Sequence, residues 1–288
     1  MTPPETTIGW IGAGKMGLPI CHRLKDAGFK VHALGRSAAA QKTLRDAGFT
    51  VHDNVAELVA HADVIFTSVS DDAALEEVVG SALGHFRAGA TFIDISTISP
   101  QLSAKVAKLL EGTSYLRSPV SGSTALAQAG TLTAIVSGPN ASFQTMAPVF
   151  AAFTRKAFHV GKAEEARFLK LVLNSMVAAT AALLAEALAF GRDGGLDNTT
   201  MLSVINQSVV ASPLIGYKTD MIIKDDYKAA ASLAMLKKDL DLLLAAASKP
   251  LPLGTHIQQI YQNSIERGHG EEDFFVLVRE ANATGDKI

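Results

Sequence analysis

A glycine-rich turn close to the first residue restricts the possible folds of this chain more than any other feature. Residues Thr7–Ile11 form a short β-rich run, and residues 12–17 read G-A-G-K-M-G before a helical pattern begins. A G-x-G-x-x-G turn between strand and helix is typical of dinucleotide binding, because its glycines permit a tight turn, close approach of a pyrophosphate and close helix packing. The helix N-terminus offers unpaired amide groups to the phosphates. The alternative is a purely structural turn. The predicted phosphate-binding residues are Gly12, Ala13, Gly14, Lys15, Met16 and Gly17.

The first half of the chain alternates β-rich runs with amphipathic helical stretches. The candidate strands are Thr7–Ile11, Lys30–Leu34, Val64–Val69, Thr91–Ile95 and Leu132–Val136. The helical stretches between them include Leu18–Ala27 and Ala38–Ala47. Alternation of this kind favours a parallel sheet covered by helices on both faces. We therefore predict an α/β fold with an N-terminal doubly wound parallel sheet.

The pattern changes after Gly161. Residues Glu164–Phe190 form an Ala/Leu-rich helical stretch, and Gly194-Gly195 follows as a stop signal. Four more helices are predicted at Asn198–Gln207, Leu214–Ile223, Ser232–Ser248 and His256–Arg267. We predict a dinucleotide-binding domain over residues 1–162 and an all-helical substrate and dimerisation domain over residues 163–288. A helix of about 27 residues spans roughly 40 Å, too long for one small domain to cover, so a homodimer or homotetramer is expected.

Composition excludes several classes of protein. The 288 residues are 48% hydrophobic and 19% charged, which is enough apolar material for a sizeable core and suggests two domains. The net charge of -2 gives no electrostatic reason to expect nucleic-acid binding. The single cysteine, Cys21, is expected to pack in the core, and a cytoplasmic location is the default.

No export signal, membrane span or metal site is expected. The apolar stretch from Leu171 to Ala185 has about 15 residues, whereas a span needs roughly 20. The eight histidines are scattered without ligand spacing. Those of the first domain are expected at the surface or at strand edges, namely His22, His32, His52, His61, His85 and His159. The acidic run Glu271-Glu272-Asp273 is expected to be a solvated helix N-terminus.

The end of the second predicted strand indicates which nicotinamide cofactor is bound. An NAD site places a carboxylate there to accept a hydrogen bond from the ribose 2′-hydroxyl. This chain instead has Gly35, Arg36 and Ser37. A guanidinium can bind a 2′-phosphate with two parallel hydrogen bonds, and a serine hydroxyl adds a donor. We predict NADP(H), the alternative for Arg36 being a solvated residue in a turn.

Three later segments carry groups that could act on a substrate. Asp94–Pro100 follows a predicted parallel strand, at the edge where ligands bind. The turn Ser121-Gly122-Ser123 offers hydroxyls and amides suited to binding a carboxylate. The alternative is a polar loop without a ligand. Lys170 and Asn174 are four residues apart on the long helix and share one face, where Arg167 and Val177 supply no carboxylate. A lysine at the edge of an apolar helix is usually a surface residue whose stem covers apolar surface. The place of Lys170 at the predicted domain junction, beside the nucleotide site, favours a functional role.

Five short motifs occur in order along nearly the whole chain. They are the glycine loop with Met16 and Pro19, D-x-S-T-x-x-P at Asp94–Pro100, S-P-V-S-G at Ser118–Gly122, K-x-x-x-N at Lys170–Asn174 and K-D-L at Lys238–Leu240. In this combination the sequence resembles the β-hydroxyacid dehydrogenase family, the relatives of 3-hydroxyisobutyrate dehydrogenase. The resemblance implies a Rossmann domain, a helical C-terminal domain and an active site in the cleft between them.

The resemblance also implies roles for individual residues. Ser121 and Gly122 would hold the substrate carboxylate, with Ser123 beside them; Lys170 would be the general acid and base, and Asn174 would orient substrate or lysine. Cofactor contacts would include Val69, Ser70, Thr97 and Lys238. The expected reaction is hydride transfer between NADPH and a small aldehyde or keto acid, of the semialdehyde, glyoxylate or 3-hydroxyisobutyrate type. Such a partner is a small carboxylate-bearing molecule.

Two departures from the family pattern bear on the substrate. Ser123 stands where many members have glycine, as in the glyoxylate and succinic semialdehyde reductase branch, and Ala231 stands where phenylalanine is frequent. Two other functions stay open. The first is imine reduction, which the same architecture supports but generally without a lysine at the position of Lys170. The second is a catalytically silent dinucleotide-binding protein.

Overall fold

The computed structural model describes residues 5–283, in two compact units, Met1–Lys170 and Leu171–Ile288. The strands of the first unit are β1 (Thr7–Ile11), β2 (Lys30–Leu34), β3 (Thr50–Val51), β4 (Val64–Thr67), β5 (Thr91–Asp94), β6 (Ser114–Arg117), β7 (Val120–Ser121), β8 (Leu132–Ser137) and β9 (Thr154–Gly161). Its helices are α1 (Gly17–Asp26), α2 (Ala38–Asp46), α3 (Val55–Ala60), α4 (Asp72–Ala82), α5 (Pro100–Leu109), α6 (Thr124–Ala129), α7 (Asn140–Thr145) and α8 (Ala147–Ala151).

The strands form one predominantly parallel sheet. Its order is β3-β2-β1-β4-β5-β6-β8-β7, and β9 pairs with β8. The six strands from β3 to β6 are parallel, whereas β8 is antiparallel to β6 and β7. β8 meets β6 only through the pairing of Arg117 with Ser137. The carboxyl ends of β1, β2, β4 and β5 therefore lie side by side at one edge of the sheet.

The sheet separates two apolar cores. Val64 and Phe66 of β4 face one core, in which Trp10 stacks on Phe66 at 4.8 Å between ring centroids. Ile65, between them in sequence, belongs to the other core together with Phe92 of β5. Strands buried on both faces give continuous apolar runs, which is why β4 was recognisable in the sequence. Cys21 is buried, as expected.

The predicted class, an α/β sheet domain followed by helices, is confirmed. β1 and β2 have the predicted bounds, whereas β4 and β5 end before the predicted residues Val69 and Ile95. β3, β6, β7 and β9 were not predicted. β3 and β7 have two residues each, and β6 and β9 mix charged residues with apolar ones, so none of these strands gives a clear apolar signal.

A long helix, α9 (Glu165–Asp193), runs from the first unit into the second. The division falls after Lys170, inside α9, whereas the sequence prediction placed the domain boundary at residue 162. The first turn of α9 belongs to the sheet unit because Arg167 bonds to residues of that unit. By length and composition α9 could cross a membrane, with 33% of its most apolar window buried; core helices of soluble proteins pass the same test.

The described residues of the second unit form helices and their connections, with one isolated β-bridge between Ser232 and Asp273. After α9 come α10 (Asn198–Ile205), α11 (Pro213–Lys224), α12 (Leu233–Ala246) and α13 (Pro252–Ser264), then a π-helical turn at Ile265–His269, a 3-10 turn at Phe274–Val276 and α14 (Leu277–Ala283). The acidic run expected as a solvated helix N-terminus is confirmed as a helix N-terminus, because Asp273 caps the 3-10 turn by accepting the Phe275 N–H. Its solvation is wrong for Asp273, which is buried and pairs with Lys218.

Candidate functional site

The first candidate region is the turn after β1. Gly12 has a φ of 86°, and a Cβ there would collide with the Ser68 carbonyl oxygen, so only glycine fits. A Cβ on Gly17 would lie 2.5 Å from Trp10 Nε1, which explains the close packing of α1 on β1. A Cβ on Gly14 would meet nothing within 4 Å, so the space in front of this exposed residue is open.

The N-terminus of α1 differs from those of its neighbours. Side chains of Ser37, Asn54, Asp71 and Ser99 cap α2 to α5 by accepting a backbone hydrogen bond. α1 begins without a side-chain cap and without an acidic residue in its first turn. Uncapped amides and the positive end of the helix dipole suit an anion. These features of the turn fit a dinucleotide pyrophosphate.

The turn after β2 carries the residues predicted to select the cofactor. Gly35 is buried, and a Cβ there would lie 2.8 Å from the Gln41 amide nitrogen. Arg36 and Ser37 are exposed, and the Ser37 hydroxyl accepts the Ala40 N–H at 3.2 Å. None of positions 35–37 has a carboxylate that could accept a hydrogen bond from a ribose 2′-hydroxyl.

A buried hydrogen-bond network lies at the carboxyl ends of β4 and β5. Asp94 Oδ1 accepts hydrogen bonds from Thr67 Oγ1 at 2.7 Å and from Ser96 Oγ at 2.6 Å. Ser96 Oγ in turn accepts the Val69 N–H at 2.9 Å. The network thus joins the segment of Val69 and Ser70 to the segment of Thr97, and all three predicted contact residues follow neighbouring strands.

Arg167, in the first turn of α9, completes the network. Its Nη2 donates to Asp94 Oδ2 at 2.6 Å and to the Tyr115 hydroxyl at 2.9 Å. Burial opposes the charge, but Tyr115 and Asp94 together outweigh it and raise the pKa of the Arg167 guanidinium. Burial also raises the pKa of the Tyr115 phenol, so this hydroxyl stays neutral at physiological pH.

Sequence reasoning missed this pair, although a signal existed. Asp94 ends the apolar run Thr91–Ile93, and Arg167 lies on an apolar helix; a charge in either place needs a buried partner. Lys170 follows Arg167 by one helical turn and is half-buried. The structure therefore places Lys170 in the same unit as the phosphate loop, Val69, Ser70 and Thr97.

Asn174 and Lys238 belong to the second unit, where Asp239 contacts both. Asn174 Nδ2 donates to Asp239 Oδ2 at 2.5 Å, and Lys238 Nζ lies 3.3 Å from Asp239 Oδ1. The carboxylate partner of Asn174 therefore comes from α12 and not from the face of α9 on which Asn174 itself lies. Asp239 is 7% exposed, and it was part of the K-D-L motif without an assigned role.

The Ser-Gly-Ser turn lies at the end of β7. This strand runs in the direction of β6, because both are antiparallel to β8. Ser121 and Ser123 are half-buried, and Gly122 has a φ of 134° that favours glycine. A Cβ on Gly122 would lie 2.7 Å from a side-chain carbon of Leu132, so a side chain does not fit here and the backbone of the turn is not covered by one.

Within residues 5–283 no three His, Cys, Asp or Glu side chains lie close enough together to bind a metal ion.

Comparison with known proteins identifies the family. The model for the NAD binding domain of 6-phosphogluconate dehydrogenase matches residues 7–161, and that for the NAD-binding domain of NADP-dependent 3-hydroxyisobutyrate dehydrogenase matches residues 165–281. The chain is 32% identical to 2-(hydroxymethyl)glutarate dehydrogenase of Eubacterium barkeri, over 94% of this chain and 93% of the relative. It is 30% identical to mitochondrial 3-hydroxyisobutyrate dehydrogenase of Drosophila melanogaster, over 94% and 87%.

A solved structure agrees with these matches. The 3-hydroxyisobutyrate dehydrogenase of Mycobacterium tuberculosis with L-serine superposes with a TM-score of 0.88 and 28% identity, covering 96% of this chain and 98% of that chain. The resemblance found in the sequence is therefore confirmed, as is an oxidoreductase activity with a nicotinamide dinucleotide. This chain belongs to the β-hydroxyacid dehydrogenase family and is a hydroxyacid dehydrogenase that uses NAD(P).

Proposed function

We propose that the protein is an NADPH-dependent reductase of small carboxylate-bearing aldehydes or keto acids, working in reverse as a dehydrogenase of β- or γ-hydroxy acids. The observation that carries the cofactor choice is the turn after β2, with Arg36 and Ser37 exposed and no carboxylate beside them. A guanidinium binds a phosphate with two hydrogen bonds. NADPH is the usual reductant in reductive metabolism, which favours the reductive direction.

Lys170 is the proposed proton donor. In reduction, bound NADPH supplies a hydride to the carbonyl carbon, and negative charge grows on the carbonyl oxygen. A lysine ammonium stabilises that charge and donates its proton to the oxygen, leaving an alcohol and a neutral amine that solvent reprotonates. In oxidation the neutral amine takes the alcohol proton.

The Ser-Gly-Ser turn is the proposed carboxylate site. Its open backbone at Gly122 and the hydroxyls of Ser121 and Ser123 offer hydrogen-bond donors to an anion. Asn174, held by Asp239, is the proposed orienting amide for the substrate or Lys170. The Ser123 hydroxyl narrows this turn relative to a glycine, which favours a short substrate.

The cofactor proposal is tested by steady-state kinetics with NADPH and NADH. Charge-assisted hydrogen bonds contribute about 1.5–3 kcal/mol, which corresponds to a preference of roughly tenfold to hundredfold for NADPH. Arg36→Asp is expected to remove or invert that preference. Arg155→Asp, at an exposed arginine of β9, is the matched control. An unchanged preference in Arg36→Asp would contradict the assignment.

The proton-transfer proposal is tested with Lys170→Ala and the control Lys162→Ala, an exposed lysine just before α9. Loss of a general acid lowers turnover by about 10²–10⁴. NADPH affinity, measured by fluorescence titration, is expected to stay within about twofold in both variants. Near-normal turnover in Lys170→Ala would exclude the role.

A substrate panel separates the proposed activity from its alternatives. Semialdehydes, glyoxylate and cyclic imines are offered with NADPH, and consumption of NADPH is followed by absorbance. Turnover of the carboxylate-bearing carbonyl compounds supports the proposal. Preferential turnover of cyclic imines would make the protein an imine reductase, and binding of NADPH without any turnover would indicate a silent dinucleotide-binding protein.

We also propose that α9 pairs with a second copy of the chain. Met176, Leu183 and Phe190 are 63%, 68% and 79% exposed and are spaced seven residues apart, so they form one apolar stripe. Apolar stripes of this kind mark protein interfaces. Sedimentation of the parent and of Leu183→Glu tests the proposal, with a dimer or tetramer expected for the parent and dissociation for the variant.

A further inference from the structure

A fully buried ion pair fastens the first turn of α9 to the end of β5. The side chains of Arg167 and Asp94 are 1% and 0% exposed. Burying two charges costs free energy that their attraction repays only when geometry is good and other hydrogen bonds are satisfied. The cofactor and proton chemistry proposed above uses neither side chain, so the pair calls for a separate explanation.

The guanidinium of Arg167 is held from several directions. Beyond its bonds to Asp94 and Tyr115, its Nη1 donates to the Ser96 carbonyl oxygen at 2.8 Å and its Nε to Ser103 Oγ at 3.2 Å. These partners lie on β5, β6, α5 and the segment after β5. The position and rotation of the first turn of α9 are therefore determined by the sheet.

This contact lies between two predicted site residues. Lys170 is three positions after Arg167 and shares its side of the helix. Thr97 directly follows Ser96, whose carbonyl oxygen Arg167 binds. A rotation or shift of the first turn of α9 would move the Lys170 ammonium relative to Thr97. Misplacement of a reacting group by about 1 Å can cost a hundredfold in rate.

We propose that Arg167 is a positioning residue, which holds the Lys170 ammonium and the Thr97 segment in register through its contacts with Asp94 and the Ser96 carbonyl. The inference rests on the proposed function, in which Lys170 donates the proton. Arg167 does not touch the substrate or transfer a proton. Its contribution is the geometry of α9 at the carboxyl ends of the strands.

A neighbouring ion pair provides a matched control. Arg117 Nη2 lies 2.5 Å from Glu164 Oε1, and the two side chains are 7% and 13% exposed. This pair also joins β6 to the start of α9. Arg117 also stacks on the Tyr115 ring, and the Glu164 carbonyl oxygen accepts the Arg167 N–H. Replacing Arg117 nevertheless leaves in place the bonds from Arg167 to Asp94 and to the Ser96 carbonyl oxygen. Its loss is expected to lower stability without displacing Lys170 relative to Thr97.

The experiment compares Arg167→Lys, Asp94→Asn and Arg117→Lys in the full-length protein. Lysine keeps the charge of Arg167 but cannot reproduce its several hydrogen bonds. Asparagine keeps an oxygen for Thr67 and Ser96 but turns the partner of Arg167 into an amide. Tyr115→Phe removes one hydrogen bond, keeps the ring and serves as the mildest variant. The readouts are kcat, KM, the NADPH dissociation constant, the melting temperature and the primary isotope effect with NADPH deuterated at the transferred hydrogen.

Arg167→Lys and Asp94→Asn are expected to lower kcat roughly tenfold to hundredfold, with the NADPH dissociation constant within about twofold and an increased isotope effect on kcat. Tyr115→Phe is expected to lower kcat about threefold. Arg117→Lys should lower the melting temperature and leave kcat within about twofold. A purely structural role for Arg167 would move the melting temperature alone.

Two results would overturn the inference. One is a kcat within twofold of the parent in every one of the three network variants that folds. The other is a loss of kcat in Arg117→Lys as large as that in Arg167→Lys. Retained turnover in Lys170→Ala instead overturns the proposed function itself, so the two failures are distinguishable.

Discussion

Each of the two units contains a fully buried ion pair, and the two pairs have different surroundings. Arg167 and Asp94 in the first unit are surrounded by hydroxyl and carbonyl groups of β4, α5, β6 and the segment after β5. Lys218 and Asp273 in the second unit lie among aromatic rings, with Lys218 Nζ 4.9 Å from the Phe274 ring centroid. The first pair joins α9 to the end of β5, next to the candidate site, and the second joins α11 to the 3-10 turn.

The different surroundings predict different effects of substitutions at the two ion pairs, on function in the first unit and on stability alone in the second. In the first unit the buried polar groups are bonded to the segment of Val69 and lie next to Thr97, so changes there should affect binding or turnover as well as folding. In the second unit the corresponding pair lies within the apolar core, and Asp273 also accepts the Phe275 N–H of the 3-10 turn that it caps. Substitutions at Lys218 should therefore change stability and leave the chemistry of the folded protein intact.

The largest effect on stability is expected from Lys218→Met. It leaves the Asp273 carboxylate buried without its cation, which typically costs about 3–5 kcal/mol of folding free energy. The matched control is Lys237→Met, because the Lys237–Asp241 pair is 22% and 42% exposed and such pairs contribute about 0–1 kcal/mol. Urea unfolding measures both. A loss below about 1 kcal/mol for Lys218→Met, or a kcat change in its folded fraction, would break the comparison.

The next effect is expected in the phosphate loop, from a pair of alanine substitutions. Gly12→Ala places a side chain at a left-handed φ and against the Ser68 carbonyl, so it costs at least about 1–2 kcal/mol of stability and disrupts NADPH binding. Gly14→Ala meets no protein atom, so stability should stay unchanged while NADPH affinity falls. Thermal unfolding and calorimetric titration measure the two quantities. Unchanged NADPH affinity in Gly14→Ala would remove this loop from the cofactor site.

The sequence predicted the features that depend on neighbouring residues and missed the contacts between residues far apart in the chain. The glycine turn, β1, β2 and the helical second half follow from short motifs and periodicity, and the structure agrees with them. Arg167 and Asp94 lie 73 residues apart in sequence, and Asn174 and Asp239 lie 65 apart. No local pattern pairs such residues, although each was visible as a charged or polar group in an apolar stretch. β9 was missed because its exposed Arg155 and Lys156 interrupt the apolar pattern.

A smaller effect is expected when the capping serine of one helix in each unit is replaced by alanine. Ser37 caps α2 in the first unit and Ser212 caps α11 in the second, each by accepting a backbone N–H at 3.2 Å. Replacing either serine by alanine should cost about 1 kcal/mol. Ser37→Ala should also weaken NADPH binding, whereas Ser212→Ala should not. Equal NADPH affinity in the two variants would show that the Ser37 hydroxyl contributes only to the helix.

The smallest effect is a change in the pH dependence of stability within the first unit. The rings of His32 in β2, His52 after β3 and His61 after α3 lie together, with His32 Nδ1 2.9 Å from His52 Nε2 and neighbouring ring centroids about 5 Å apart. His52 is buried and directly follows β3, at the edge of the sheet, so of the two places expected for it the surface is wrong and the strand edge is not. Its Nδ1 lies 3.2 Å from Glu57 Oε1. Lys30 adds a further positive charge near this group.

Burial, reinforced by His52, His61 and Lys30, lowers the pKa of His32 below 6.5. The unfolded chain then binds the His32 proton more tightly than the folded chain, so stability falls as the pH decreases from above 6.5 toward the lowered value. His32→Gln removes this titration and should flatten that part of the curve. Hydrogen exchange of β2 amides against α12 amides, measured across this pH range, tests whether the acid-induced loss is confined to the sheet unit. An identical slope in parent and variant would show that His32 does not titrate between the two states, and an equal loss in α12 would show that the two units respond to acid as one.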